Sequence, residues 1–242
     1  MSDISRLSRP RTRAGLAALA AILLAAGGCD RPDAAPASRA PAAATASLPA
    51  TEYFEGLTEE AFTAPDRRLD TLISLARTAS DRDRRALAPA TAAELDGLLA
   101  RIDQHRAAMN RADLAIASVE AYRLFVSASP ASAPIPTQVS LLDYAGFRFG
   151  ADLNAQPVRW DDAATALDYA DAQWSQISGR VTDATVRNRF NSALTGMRTA
   201  LAGRDLASAR QAGLHELDLV DELETWFSRP TTGTTTPRQS AT

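Results

Sequence analysis

The chain is poor in the side chains on which several classes of protein depend. It has one cysteine and two histidines among 242 residues, and it contains no lysine, so all 26 basic residues are arginine. A single cysteine excludes a disulfide framework, paired thiol ligands for a metal and covalent heme attachment. The 29 acidic residues outnumber the basic ones, and a net charge of -3 disfavours a strongly basic nucleic-acid binder. Only one apolar run approaches the length of a membrane span, which excludes a polytopic membrane protein.

This apolar run lies near the start of the chain and has the order of a secretory signal. Four arginines and one aspartate precede it, the run covers 14–26, and two glycines lead into Cys29. The segment AGGC that ends at Cys29 resembles the lipobox of bacterial lipoproteins, from which it departs at Ala26, where leucine is usual. The resemblance implies that 1–28 is a signal peptide and that Cys29 carries lipid, including palmitate. The alternative is an ordinary cleaved signal that leaves Cys29 as a thiol.

Loss of residues 1–28 changes the charge balance of the chain. It removes four arginines and one aspartate, so the mature part carries 22 basic and 28 acidic groups. An acidic chain is not held electrostatically at an anionic lipid surface, whereas acyl chains contribute about 0.8 kcal/mol per buried methylene group. We therefore expect attachment through the N-terminal lipid, on the periplasmic side of the envelope. An aspartate directly after the lipidated cysteine retains enterobacterial lipoproteins at the inner membrane, so Asp30 favours that membrane.

Composition divides the rest of the chain into three parts. Residues 29–51 are mostly Ala, Pro, Ser and Thr, which predicts a flexible tether. Residues 229–242 have a similar composition, which predicts a disordered tail. Between them, 52–228 has the length of one domain, and its runs of Ala, Leu, Arg, Asp and Glu favour helix.

The spacing of apolar and capping residues in this domain predicts an all-α antiparallel bundle of about six to seven helices. Asp113, Thr137 and Asp161 are predicted N-caps, a helix is predicted to start at Asp183, and Asp205 is predicted to mark the break before the last helix. Four positions are predicted to be core residues: Leu98, Ile102, Leu194 and Val220. Leu219 and Trp226 are predicted to project away from the apolar face of the last helix.

Two helical hairpins have similar sequences around Asp113 and Asp205, RADLAIA and RDLASA. Superposing the two aspartates brings five core-type positions into register, which favours duplication of a helical hairpin. Any two amphipathic hairpins with similar caps would align as well, so a chance match is the alternative. A short solenoid is disfavoured because the two copies are about 92 residues apart, whereas a TPR repeat is about 34 residues long.

The sequence signatures of common enzymes are missing: no nucleophile elbow, phosphate-binding loop or zincin motif occurs. Because catalysis needs titratable groups gathered in a pocket, we expect no enzymatic activity and no cofactor. His105 and Met109 are spaced to share a helix face with Ile102, so they offer a nitrogen and a thioether ligand to copper or heme iron. The alternative is a histidine at the edge of the core with hydrogen-bonded ring nitrogens.

A second set of ligand-type residues lies near the end of the domain. Within the segment GLHELD, His215 and Asp218 are one helical turn apart, and Glu222 follows on the same face. This segment resembles the GxHxxE motif of imelysin-like periplasmic proteins, an all-helical family linked to iron uptake, with Asp218 in place of the glutamate. The resemblance implies that His215 and Asp218 bind metal, and the helical spacing adds Glu222 as a third ligand, with water completing the shell. The alternative is a solvated polar face.

The segment VSLLDYAGF places an acid, a phenol and a glycine within an apolar helix. Asp143 and Tyr144 offer polar groups to the core, and Arg123 or Arg148 is a candidate partner in a buried polar pair. Gly146 would let a neighbouring helix approach closely. The segment is predicted either to face a ligand or to form a specific packing joint.

These features predict a non-enzymatic lipoprotein of the cell envelope whose helical bundle binds a protein partner and no nucleic acid. Two alternatives come from other classes. One is an imelysin-like metal-binding lipoprotein, based on His215 and Asp218, and the other is a small-ligand or heme-binding bundle, based on His105 and Met109. Titration with iron, copper, zinc and heme separates these alternatives from the first.

Overall fold

The structure, a computed structural model, describes residues 49–128 and 135–229. All of them belong to one compact unit of the chain. The predicted signal peptide, Cys29, the tether as far as residue 48 and the tail from residue 230 lie outside the described residues. Within the described ranges, no helix combines the length and the apolar character needed to cross a membrane.

The described ranges contain eight α-helices, two short 3-10 turns and no strand, which confirms the predicted all-α bundle. In chain order the helices are α1 (Ala50–Glu60), α2 (Asp66–Asp83), α3 (Pro89–Ala107), α4 (Arg111–Ala128), α5 (Thr137–Asn154), α6 (Trp160–Ile177), α7 (Ala184–Ala202) and α8 (Leu206–Ser228). The 3-10 turns, Arg84–Ala86 and Ser178–Arg180, follow α2 and α6.

The sequence pattern does not predict α1, which begins two residues before the expected domain boundary at 52. Its buried residues Ala50, Phe54 and Leu57 recur at helical spacing. Pro49 at the N-cap provides no side-chain acceptor, and the Ala50 N–H donates instead to Asp83 Oδ2 at the end of α2, at 2.9 Å. The start of α1 is therefore fixed by a neighbouring helix, which a local pattern does not reveal.

The eight helices form two four-helix halves: the first half is α1–α4 and the second half is α5–α8. In the first half α4 packs on α1 and α3, and in the second half α8 packs on α5 and α7. Each half has its own apolar core, and the two halves meet where α5 packs against α4. Tyr144 and Phe147 of α5 and Leu217 of α8 reach into the core of the first half.

The two halves repeat one arrangement of helices. All four buried residues of α3 match buried residues of α7, each pair 95 positions apart: Leu95 and Phe190, Leu98 and Ala193, Leu99 and Leu194, Ile102 and Met197. Buried residues of α2 and α6 match at a separation of 94, as Ile73 and Leu167 or Ala76 and Ala170 show. The repeat therefore extends beyond the predicted hairpin to the whole four-helix half.

The two hairpin turns show why the predicted register of this repeat is wrong. Met109 and Arg204 occupy the same turn position, with φ of 55° and 47°. Asn110 and Asp205 follow as N-caps, and a side-chain oxygen of each accepts the N–H three residues later at 3.1 Å. Asp113 is therefore not the cap of α4 but the residue whose N–H is capped, so the copies superpose 95 positions apart instead of 92.

The predicted core is confirmed except on α8. The four predicted core residues are all buried, with at most 3% of each exposed: Leu98, Ile102, Leu194 and Val220. Leu219, predicted to project away from the core, is fully buried in the second half, and Trp226 packs partly buried against the same core. That prediction is wrong because α8 contacts both α5 and α7, so its buried surface is wider than a single apolar stripe.

Candidate functional site

The place where the two halves meet holds a group of charged and phenolic side chains, named here the joint cluster: Glu120, Arg123, Tyr144, Arg148 and Asp152. Three donors converge on the Glu120 carboxylate of α4. The Tyr144 hydroxyl donates to Oε1 at 2.8 Å, Arg148 Nη1 donates to the same oxygen at 2.7 Å, and Arg123 Nε donates to Oε2 at 2.9 Å. Charge-assisted bonds of this length are the stronger class in proteins, so they hold α4 and α5 in one relative orientation.

Arg148 also binds Asp152, one turn further along α5. Its Nε donates to Asp152 Oδ2 at 3.0 Å, and the aspartate is fully buried. Burial raises the pKa of Asp152 to about 6, although the positive charge of Arg148 acts in the opposite direction. The other carboxylate oxygen, Oδ1, has no hydrogen-bond partner among the described residues. The joint cluster therefore contains a carboxyl group that changes charge in mildly acidic solution.

Tyr144 connects the joint cluster to α6. Its ring meets that of Tyr169 edge to face, with centroids 5.2 Å apart, and the Arg123 guanidinium lies 5.7 Å from the Tyr144 centroid. Burial, and then the negative charge of Glu120, raise the pKa of Tyr144, so its hydroxyl stays protonated and acts as a donor. Instead of the buried pair considered from the sequence, Tyr144 makes a cation–π contact with Arg123 and shares the Glu120 carboxylate with Arg148.

Gly146 marks a close approach of α8 to α5, as the sequence predicts. A Cβ atom at this position would lie 2.2 Å from Glu216 Oε2 and 2.6 Å from Leu217 Cδ2. Asp143, one turn earlier on α5, is buried, and so is Glu216. This segment thus packs on α8 at Gly146 and on α4 through Tyr144, while a ligand at Asp143 and Tyr144 stays a prediction.

Glu216 is a buried acid that sequence reasoning missed. It belongs to the segment GLHELD, from which the sequence analysis selects its neighbours His215 and Asp218. The sequence indicates its burial through its position, directly before Leu217 and three residues after Gly213, on the side of α8 that packs on α5. Gly213 supports this reading, because a Cβ there would lie 2.9 Å from the ring of Phe149 on α5.

The three residues predicted to bind metal differ in their surroundings on α8. His215 and Asp218 are exposed, and Glu222 is partly buried. Arg189 of α7 binds Glu222, since its Nη1 donates to both carboxylate oxygens at 2.6 and 2.9 Å. Among the described residues, no group of three or more His, Cys, Asp or Glu side chains has an arrangement that would hold a metal ion. The metal site at these residues stays a prediction.

His105 and Met109 do not share a helix face, contrary to the sequence-based prediction. The helix α3 ends at Ala107, and Met109 lies in the left-handed turn that follows, with 66% of its surface exposed. His105 is partly buried in the last turn of α3, where its backbone carbonyl accepts the Asn110 N–H at 2.9 Å. The prediction is wrong because the chain leaves the helix between the two residues, so a continuous helical period does not apply.

The structure therefore buries Asp143, places Tyr144 in the contact between the halves, leaves His215 and Asp218 on the surface, and separates Met109 from α3. Cys29 lies outside the described residues. Comparison with protein-family models, with curated protein sequences and with solved structures found no match.

Proposed function

We propose that the chain is a lipid-anchored, non-catalytic module of the bacterial cell envelope whose helical bundle binds another protein. The N-terminal sequence supports the anchor, because a basic start, an apolar run and Cys29 precede an Ala/Pro-rich tether. A lipid and a tether of this kind keep a folded domain near the membrane and leave it free to meet a partner.

The joint cluster is the observation that carries the proposal. Glu120 uses its carboxylate on Tyr144, Arg123 and Arg148, and Arg148 also bonds Asp152. These charges therefore neutralise one another within the fold instead of being held ready for a substrate. Two halves fixed in this way form one rigid body, and a rigid body presents its outer surface to a partner at little cost in ordering.

Membrane release tests the anchor. Cys29→Ser should move the protein from the membrane fraction to the soluble fraction, and a palmitate analogue should label only the wild type. Equal labelling of the variant, or membrane retention without labelling, would contradict the proposed attachment.

Photo-crosslinking in cells tests the partner. The photoreactive residue p-benzoylphenylalanine is placed at Leu75, Met109 or Leu214, the large apolar residues exposed on the described part of the chain. We expect an adduct of defined mass at one of these positions and not at the others, and its loss from the Cys29→Ser variant. Adducts of equal yield at all three positions, or none at any exposed position tried, would contradict a specific partner surface.

A second candidate function is metal binding, favoured by the exposed pair His215 and Asp218 on one face of α8. Calorimetry with zinc and with ferric iron should show a dissociation constant of roughly tens of micromolar or weaker, because Arg189 binds Glu222 and one helix face alone supplies few ligands. His105→Ala, which changes the other histidine, is the control for His215→Ala. A submicromolar site that His215→Ala abolishes and His105→Ala retains would favour metal binding over protein binding as the function of the chain.

A further inference from the structure

The first half has an open pocket at one end, where the start of α1, the 3-10 turn after α2 and the end of α4 come together. Its volume is about 440 Å³. Ala50, Leu87 and Phe125 provide apolar walls, and Arg82 and Arg85 lie at its edge. This pocket lies apart from the joint cluster and includes none of the residues that the sequence analysis proposes as ligands.

The corresponding end of the second half contains an aromatic side chain. Ala128, the last residue of α4, corresponds to Leu223, and α8 continues for another turn, to Ser228. That extra turn carries Phe227, which is 8% exposed and packs in the second core. The guanidinium of Arg180, in the 3-10 turn after α6, lies 5.3 Å from the centroid of the Phe227 ring. The second half thus shows what this end of the repeat accepts: an aromatic ring beneath an arginine.

The first half has an arginine in the equivalent 3-10 turn, one position before the residue that matches Arg180, but it lacks the ring. Arg85 belongs to the 3-10 turn after α2, and its side chain is exposed with no carboxylate partner among the described residues. Arg82, by contrast, bonds Asp83, whose Oδ2 also accepts the Ala50 N–H. Arg85 is therefore the cation at this pocket that remains available to an incoming group.

The ring cannot come from the undescribed segments of this chain. Residues 1–48, 129–134 and 230–242 contain no Phe, Tyr or Trp. These segments therefore supply no aromatic side chain to the pocket.

We propose that this pocket binds an aromatic side chain of a partner polypeptide, flanked by an acidic residue that pairs with Arg85. The proposal rests on the protein-binding function given above and adds the chemistry of the partner. The aromatic ring takes the place that Phe227 has in the second half, and the carboxylate complements the free guanidinium.

Ligand-observed NMR tests the proposal on the detergent-solubilised full chain. The probe is the tripeptide acetyl-Glu-Phe-Glu-amide, with acetyl-Glu-Leu-Glu-amide as its aliphatic match. We expect saturation transfer to the phenylalanine ring with an affinity in roughly the millimolar range, as suits one side chain, and at least threefold weaker binding of the leucine peptide. Arg85→Gln should weaken binding of the phenylalanine peptide at least threefold, whereas Arg180→Gln, in the equivalent turn of the second half, should not.

Phe227→Ala provides a second arm, because it empties the corresponding place in the second half. If that variant melts cooperatively, it should bind two phenylalanine peptides where the wild type binds one. Equal affinity for the two peptides, or unchanged binding by Arg85→Gln, would overturn the proposal. So would the absence of binding at a peptide concentration of about 10 mM. Concentration-dependent dimerisation that Arg85→Gln abolishes would also overturn it, by making a second copy of this chain the occupant.

This experiment separates the pocket from the wider proposal, since it uses no cellular partner. A crosslinked partner that maps to Leu214 on the second half, together with no peptide binding, would leave the envelope-module function in place and remove the pocket. Peptide binding without any cellular adduct would leave the pocket in place and remove the envelope-module function.

Discussion

The two halves arrange their four helices in the same way but pack different side chains between them. In the second half Trp174 stacks on Phe190, with ring centroids 4.3 Å apart. The corresponding residues of the first half are Ser80 and Leu95, which are also buried. Burial is therefore retained at each position although the volume of the side chain is not. The arrangement depends on which helix face is apolar, and each core is then packed in its own way.

Charge pairs in the two halves follow the same rule. Arg77 of α2 pairs with Asp103 of α3, and at matching positions Asp171 of α6 pairs with Arg198 of α7. The signs are exchanged, but the pair remains. Exposed pairs of this kind contribute only about 0–1 kcal/mol, so neither orientation of the charges is strongly preferred.

The largest expected difference between the halves comes from their matched core residues. Phe190→Ala should lower the free energy of unfolding by about 3 to 5 kcal/mol, because it removes a fully buried ring and leaves Trp174 without its stacking partner. The matched change Leu95→Ala should cost less, about 2 to 4 kcal/mol. Urea denaturation of both variants measures the difference, and a larger loss from Leu95→Ala would mean that the first core is the tighter one.

Asp152 should make stability depend on pH in a defined direction. Because burial raises its pKa in the folded chain to about 6, above the usual value near 3.8, the folded state holds its proton more strongly than the unfolded state. The free energy of unfolding should therefore fall by up to about 3 kcal/mol as the pH rises from 4 to 7.

Asp152→Asn should remove this part of the slope, and urea denaturation between pH 4 and 7.5 measures it. Asp168→Asn is the control, because Asp168 is exposed on α6 and should leave the slope unchanged. A slope that survives in Asp152→Asn would assign the pH dependence to another group.

The close approach of α8 to α5 should make two glycines of α5 respond in opposite ways. Gly146→Ala should destabilise by about 1 to 3 kcal/mol, because the added Cβ would lie 2.2 Å from Glu216 Oε2. Gly150→Ala should stabilise by about 0.5 to 1 kcal/mol, since a Cβ there meets nothing within 4 Å and alanine favours helix. Melting curves of the two variants check this pair, and destabilisation by both would show that α5 as a whole tolerates no added volume.

Ser80 should give the smallest effect and test how the first core is packed. Its Oγ is buried without a hydrogen-bond partner among the described residues, so Ser80→Ala should raise the free energy of unfolding by up to about 1 kcal/mol. Trp174→Ala at the matching position should lower it instead. A destabilised Ser80→Ala variant would indicate that the hydroxyl is satisfied in solution, for example by water.

Local patterns in the sequence account for much of the fold. The helical class, the helix starts at Asp183 and Asp205, and the buried residues Leu98 and Leu194 are all predicted correctly. Each depends on residues within one or two turns, where the helical period and the capping hydrogen bond act. The prediction that Asp113 caps α4 is wrong for the same reason, because Asn110 is an equally good cap three residues earlier. The predicted caps Thr137 and Asp161 are wrong, because Pro136 and Arg159 occupy the N-cap positions of α5 and α6.

The candidate site is harder to predict from such local patterns. Gly146 signals a close approach, but the sequence does not say that Glu216 and Leu217 are the residues it meets. Tyr144 is identified as a polar group in an apolar helix, yet its acceptor is Glu120, 24 residues away. Met109 fits the apolar spacing of α3, but it does not belong to that helix, because α3 ends at Ala107.

By itself, then, the sequence determined which segments other than α1 are helical and which face of most of them is apolar, since both follow from interactions among neighbours in the chain. The tertiary structure alone decided how the halves superpose, that Leu219 and Glu216 are buried, and that three donors share Glu120. Those outcomes depend on contacts between different helices, whose relative rotation is set by the packing of the whole core. A helix that touches two neighbours buries a wider face than its own periodicity reveals, and α8 is the example in this protein.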